Sequence, residues 1–153
     1  MKYLPVGLDV RGRICIVVGG GQIGARKATN LLQAEAAVTV VSPDVTEELA
    51  DLASAGRLQW QKDVYRARAL GGAFLAVAAT DDDGLNARVV QDARDRGVLV
   101  CDASSASRSQ VIFGALHKAP GITLAVFTDG QDPSRARNTR DRIAALGQDW
   151  ERE

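Results

Sequence analysis

The sequence predicts an α/β protein: a parallel sheet with helices on both faces, followed by a β-hairpin and a helix. Two observations predict it. From Arg13 to Ser104, short apolar runs alternate with segments of helical periodicity, which favours a parallel sheet covered by helices. Beyond Ser104 the alternation breaks, and two apolar runs separated by a short turn take its place.

"RICIVVGG" (13–20) is a β-branched run closed by glycine and reads as a buried parallel strand. "QIGARKATNLLQAE" carries Ile23, Ala28, Leu31 and Leu32 at helical spacing. "AAVTVVSP" is a second buried strand, stopped by Pro43. "DVTEELADLASAG" reads as a helix with Asp44 as its candidate cap, acids in the first turn and Gly56 past the end. "RLQWQKDV" alternates like a more exposed strand, whereas "GGAFLAVAAT" is apolar throughout and buried. "DDDGLNARVVQDARDRG" is a helix with an acidic start and Gly97 at its end, and "VLVCDAS" (98–104) is the next strand. "VIFGALHK", "APG" and "ITLAVFT" read as a hairpin. "DPSRARNTRDRIAALGQDWERE" is a final helix with Pro133 near its first turn and a thin stripe of Ala136, Ile143 and Leu146.

At 153 residues the chain supports one ordinary domain with a real core. Hydrophobic residues make up 46% and charged residues 25%, the profile of a soluble globular protein. Nineteen basic and 19 acidic side chains cancel, so no electrostatic footprint for nucleic acid is expected. No apolar stretch approaches the roughly 20 residues of a membrane span, and "MKYLPVGLDVRGR" lacks the apolar core of a signal peptide. Cys15 and Cys101 lie in strand-like runs and are expected to behave as small buried hydrophobes, which points to the cytoplasm.

The candidate site begins at "VVGGGQIGARKATNLL", where Gly19, Gly21 and Gly24 form G-x-G-x-x-G between a strand and a helix, with a second strand following. In a Rossmann-like fold Gly19 permits the tight turn, Gly21 lets the backbone approach a pyrophosphate, and Gly24 lets helix and strand pack closely. The helix start presents unpaired N–H groups to the anion. The end of the second strand holds Ser42-Pro43 where an NAD site usually has Asp or Glu. Ser42 can bond a ribose hydroxyl but supplies no carboxylate to repel a 2′-phosphate, which leaves NAD versus NADP open at this point.

"YLPVGLDVRGRICIVVGGGQIGARKATNLL", "VTVVSP", "GAFLAVAATDDDGLNARV", "VIFGAL" and "LAVFTDGQDPSRARNTRDRI" together resemble the amino-terminal domain of siroheme synthase, the precorrin-2 dehydrogenase (sirohydrochlorin ferrochelatase) family. The resemblance runs over residues 3 to 146. It implies NAD-dependent oxidation of precorrin-2 to sirohydrochlorin, with iron insertion in some members. It implies a Rossmann domain over 1–110 and a hairpin-and-helix dimerisation segment over 111–153, hence a homodimer. The family's terminal helical domain is expected to be absent from this chain. Family cofactor contacts carry over to Gly19, Gly21, Gln22 and Ile23, to Ser42, and to Thr80, which also ends a buried strand where ligands of such folds bind. The family aspartate after the fifth strand falls on Ser104 in an ungapped alignment, with Asp102 two residues earlier. Asp102 and Ser104 are therefore the catalytic candidates, with Asp102 expected to matter more. If the strand continues to Ser104, the two share a face. The departure argues against efficient iron insertion.

His117 reads as a strand-end surface histidine, and no zinc-like spacing of ligands exists, so no metal is expected. "TDDDG" is explained by helix capping. Arg135, Arg137, Arg140 and Arg142 form a solvated face that can alternatively hold tetrapyrrole carboxylates. Two other readings stand beside the enzyme. A nucleotide-sensing module would place an acid at the end of the second strand, and it gives no reason for the R-K-A and A-A-T-D-D segments. A tetrapyrrole-binding module without catalysis is the reading that the replaced aspartate would favour.

Overall fold

The structure is a computed structural model, and it describes residues 2–146. The chain divides into two compact units: Pro5–Val111, and, of the described residues, 2–4 with 112–146.

The first unit is built on five parallel strands: β1 (Ile14–Val18), β2 (Ala37–Val41), β3 (Gln59–Gln61), β4 (Leu75–Ala78) and β5 (Leu99–Asp102). Their order is β3-β2-β1-β4-β5, a Rossmann-like arrangement. The chain works outward from β1 to β3 and then returns to the other side of β1. The crevice where the direction reverses therefore opens between β1 and β4. Register lines up the strand ends, with Val18 opposite Val41 and Ala78, and Ala78 opposite Asp102. The residues that follow these strands thus gather at one edge of the sheet.

Three helices cover the sheet: α1 (Gln22–Gln33), α2 (Glu47–Ser54) and α3 (Asp83–Asp95). Ile16, Val18, Ala76, Ala78 and Val100 share a core with Val89, Val90 and Ala93 of α3. The alternate residues Cys15, Val17, Val77 and Cys101 are buried as well, with Ala25, Ala28 and Leu31 of α1. Burial on both faces accounts for strands that read as continuous apolar runs. Both cysteines are free and buried.

Three elements depart from the sequence reading. Helix α2 starts at Glu47, and its cap is Thr46, whose hydroxyl accepts from Leu49 N at 3.4 Å, rather than Asp44. The reason is long-range: residues 44–46 lie against the glycine loop, with Thr46 N donating to Gly20 O at 2.9 Å. Strand β5 stops at Asp102, so Ser104 sits in the following turn. The hairpin's first strand begins at Ala115 rather than 111, because Gln110 N and Val111 N both bond to Val100 O and hold that segment on β5. Short 3-10 turns at Ala67–Leu70 and Ala106–Arg108 were not anticipated.

In the second unit β6 (Ala115–Ala119) and β7 (Ile122–Val126) pair antiparallel, with His117 opposite Leu124. Helix α4 (Pro133–Leu146) is tied to the hairpin through Arg140, which donates to Leu116 O at 2.9 Å. Of its expected stripe, Ala136 is buried and Ile143 partly so, whereas Leu146 is exposed. Residues 147–153 of the expected helix lie outside the described residues. Among the described residues no helix is long and apolar enough to cross a membrane.

Candidate cofactor site

The carboxyl edge of the sheet carries a cleft of about 500 Å³ lined by Gly19, Gly21, Ser42, Asp44, Thr80 and Leu85, among others. The glycines that shape it have different physical reasons. Gly19 has φ +116°, and a Cβ there would stand 2.3 Å from Ala79 O. A Cβ at Gly24 would stand 2.1 Å from Gly19 O, so this glycine lets α1 close onto the loop. Gly20, outside the G-x-G-x-x-G pattern, is equally constrained, with Asp44 O at 2.2 Å from its Cβ position. Gly21 differs from all three. Its backbone is ordinary, at φ −76° and ψ −173°. A Cβ there would meet nothing within 4 Å. Neither strain nor packing asks for glycine at 21; the space beside it is open cleft.

Gly21 also caps α1 with no side-chain hydrogen bond, and the first turn of α1 holds no acid. The other helices of this unit are closed at the same end. Thr46 caps α2, with Glu47 and Glu48 following. Asp82 caps α3 by accepting from Leu85 N at 2.9 Å. The start of α1 thus carries neither a side-chain cap nor a first-turn acid, the arrangement in which a helix start can bind an anion.

Ser42 and Thr80 line the cleft. Trp60 Nε1 donates to Ser42 O at 3.0 Å and holds that corner. Gln22 and Ile23 are exposed on the first turn of α1, next to the cleft rather than in its wall. Gly24 is buried. The charged residues of the lining are Asp44 and Asp81, and the lining includes no Lys or Arg.

Beyond Thr80, a hydrogen-bonded cluster fills the space between the turns that follow β4 and β5. Thr80 Oγ1 lies 2.7 Å from Asn86 Oδ1. Asn86 Nδ2 donates to Ser104 Oγ at 3.3 Å, and Ser104 Oγ donates to Asp102 Oδ1 at 2.6 Å. Arg108 Nε donates to Asp102 Oδ2 at 2.6 Å, and the same guanidinium pairs with Asp83. The bonds with Arg108 hold the Asp83 carboxyl below the usual carboxylate range, and they hold the guanidinium more firmly protonated than usual. The two catalytic candidates are therefore brought together, but not on a shared strand face. The Asp102 side chain is 0% exposed and ion-paired. Ser104 is the accessible member.

Sequence reasoning missed Gly20, Asn86 and Arg108. Gly20 was visible in G-G-G. Asn86 left a signal, since it stands three, four and seven residues before Val89, Val90 and Ala93 and so falls on the core face of α3. Arg108 left none. His117 and the arginines at 135, 137, 140 and 142 lie in the second unit. Among the described residues no group of three or more His, Cys, Asp or Glu side chains is placed to hold a metal ion.

The family model described as "Putative NAD(P)-binding" matches residues 6–115. The chain belongs to this NAD(P)-binding family. The siroheme synthase of Photorhabdus laumondii is 37% identical over 146 residues, covering 95% of this chain and 31% of that protein. Those of Chromobacterium violaceum and Stutzerimonas stutzeri are both 40% identical, over 95% and 97% of this chain. The chain spans about a third of the length of these relatives. The solved structure of SirC, a precorrin-2 dehydrogenase, superposes with a TM-score of 0.82 at 32% identity, covering 94% of this chain and 71% of that one. The resemblance read from "VVGGGQIGARKA" and "AATDDD" is borne out. For an NAD(P)-binding domain the residues present fit the dinucleotide: an open glycine at 21, an uncapped helix start, and a strand-end serine at 42.

Proposed function

We propose that the chain is an NAD-dependent dehydrogenase that oxidises precorrin-2 to sirohydrochlorin in siroheme biosynthesis. The observation that carries the cofactor part is the glycine turn at the carboxyl edge of the sheet, where Gly21 lines the cleft and α1 starts without a side-chain cap. The substrate part rests on similarity to the siroheme synthases and to SirC. In this reading Gly19, Gly21, Gln22, Ile23 and Gly24 form the pyrophosphate turn, Ser42 meets the ribose, and Thr80 lies beside the reacting end. NAD is favoured over NADP, because the cleft wall offers two carboxylates and no cation to a 2′-phosphate.

The bound nicotinamide supplies a hydride acceptor. The protein binds and orients the tetrapyrrole and receives a proton. We assign the proton to Ser104 and Asp102, with Ser104 Oγ as the accessible end and Asp102 as the charged, buried end. Arg108 occupies Asp102 Oδ2, which leaves Oδ1 to Ser104, and the contribution expected of the pair is about 10²-fold, the low end of the usual range. Asp102 is also committed to Arg108, so it is not offered as an iron ligand. The two buried thiols suit a reducing compartment, the cytoplasm. The half-buried apolar hairpin β6–β7, with Ile122 42% exposed, supports a homodimer. The deciding experiment incubates the protein with precorrin-2 and NAD and follows NADH. Stoichiometric NADH and sirohydrochlorin are expected. NAD binding without turnover would favour the tetrapyrrole-binding or sensor readings. A monomer by light scattering at tens of micromolar would count against the dimer.

A further inference from the structure

We infer that Asn86 is a positioning residue that ties the cofactor-side turn after β4 to the Ser104–Asp102 turn after β5. The inference rests on the reading of the cleft as the dinucleotide site.

Asn86 is 1% exposed, on a helix face whose other members, Val89, Val90 and Ala93, belong to the core. A buried amide is costly there unless it is fully paired. It is fully paired. Its Oδ1 accepts from Thr80 N at 3.1 Å and lies 2.7 Å from Thr80 Oγ1. Its Nδ2 donates to Thr80 O at 3.0 Å and to Ser104 Oγ at 3.3 Å. These contacts use both acceptor positions and both donors of the amide. Three of them grip Thr80, in the cleft wall, and the fourth reaches Ser104, which is not in that wall.

The far end is itself held. Ser104 donates to Asp102, and Arg108 donates to both, at 2.6 Å to Asp102 and 3.2 Å to Ser104. Asn86 thus joins a residue placed beside the cofactor to one assigned to the proton. Its two partners follow neighbouring parallel strands in register. Loosening Ser104 frees one amide donor and lets Thr80 shift with it. Effects on cofactor affinity should then arise from a residue that does not line the cofactor cleft.

The test uses Asn86→Asp, which keeps the shape and replaces the donating NH₂ with oxygen, and Ser104→Ala, an exposed change that removes the far partner. Calorimetric Kd for NAD, kcat and KM, and the thermal midpoint are measured for each and for the double variant. Ser104→Ala is expected to raise the Kd for NAD by about three- to tenfold, the scale of one hydrogen bond, with little change in midpoint. Asn86→Asp should raise it further and lower kcat, and in its background Ser104→Ala should add nothing to Kd. If Asn86→Asp does not fold, Ser104→Ala alone decides. An unchanged Kd in Ser104→Ala overturns the inference, as does a loss of midpoint alone in Asn86→Asp or full additivity in the double variant. A wild-type chain that does not bind NAD overturns the parent reading instead.

Discussion

Gly21 offers the sharpest separation of fold from function. Gly21→Ala and Gly21→Val place a side chain where nothing lies within 4 Å, on a backbone with φ −76° that any residue adopts. The cost to the fold is that of losing a glycine cap, about 1 kcal/mol or less, hence a midpoint shift of a few degrees. The cost to the cofactor is larger. In the proposed site the new Cβ would stand between the loop and the pyrophosphate and hold the anion off the α1 amides. Each charge-assisted hydrogen bond lost is worth about 1.5–3 kcal/mol, so the Kd for NAD should rise about tenfold in Gly21→Ala and about a hundredfold in Gly21→Val. The neighbouring glycines are the control. At Gly19, Gly20 and Gly24 a Cβ falls 2.3, 2.2 and 2.1 Å from backbone oxygens, so alanine there should unfold or distort the loop. Calorimetric titration beside thermal unfolding reads both quantities. Gly21→Val that folds and binds NAD with wild-type affinity would refute the reasoning, and so would Gly21→Ala as unstable as Gly24→Ala.

Asp102→Asn should lower the rate of NADH formation about 10²-fold, and a wild-type rate in both this variant and Ser104→Ala would remove the pair from the proton step. Asp83 has a lowered pKa because Arg108 bonds to it. Its contribution to stability is therefore fully present above the unfolded carboxylate value and lost as pH falls below about 4. Asp83→Asn, which leaves the Arg108–Asp102 pair in place, should make the urea midpoint less sensitive between pH 7 and pH 3, by a small amount because Asp83 is exposed; identical pH profiles would contradict this. Burial pushes the Cys15 thiol up to about 11, so at pH 8 it should resist a thiol reagent in the folded protein and react once the chain is unfolded. Rapid labelling of Cys15 in the native state would show that β1 is not packed as described.

Much of this protein was legible along the chain. The apolar runs that became β1, β2, β4 and β5 identified themselves, because a strand covered on both faces has no polar side to show. Gly19, Gly21 and Gly24 announced the turn between β1 and α1 through their spacing, although what forbids a side chain at Gly19 is Ala79, which follows the neighbouring strand β4. Tertiary structure alone decided the rest. Thr46 rather than Asp44 caps α2, because the preceding residues are drawn onto Gly20, some two dozen positions earlier. Arg108 reaches Asp83 across 25 residues and takes Asp102 out of solvent, and no local pattern records such a pairing. Asn86 meets Ser104 only because β4 and β5 lie side by side in register. Periodicity reports which face of an element is buried, while hydrogen-bond partners depend on which strand ends the sheet order brings together.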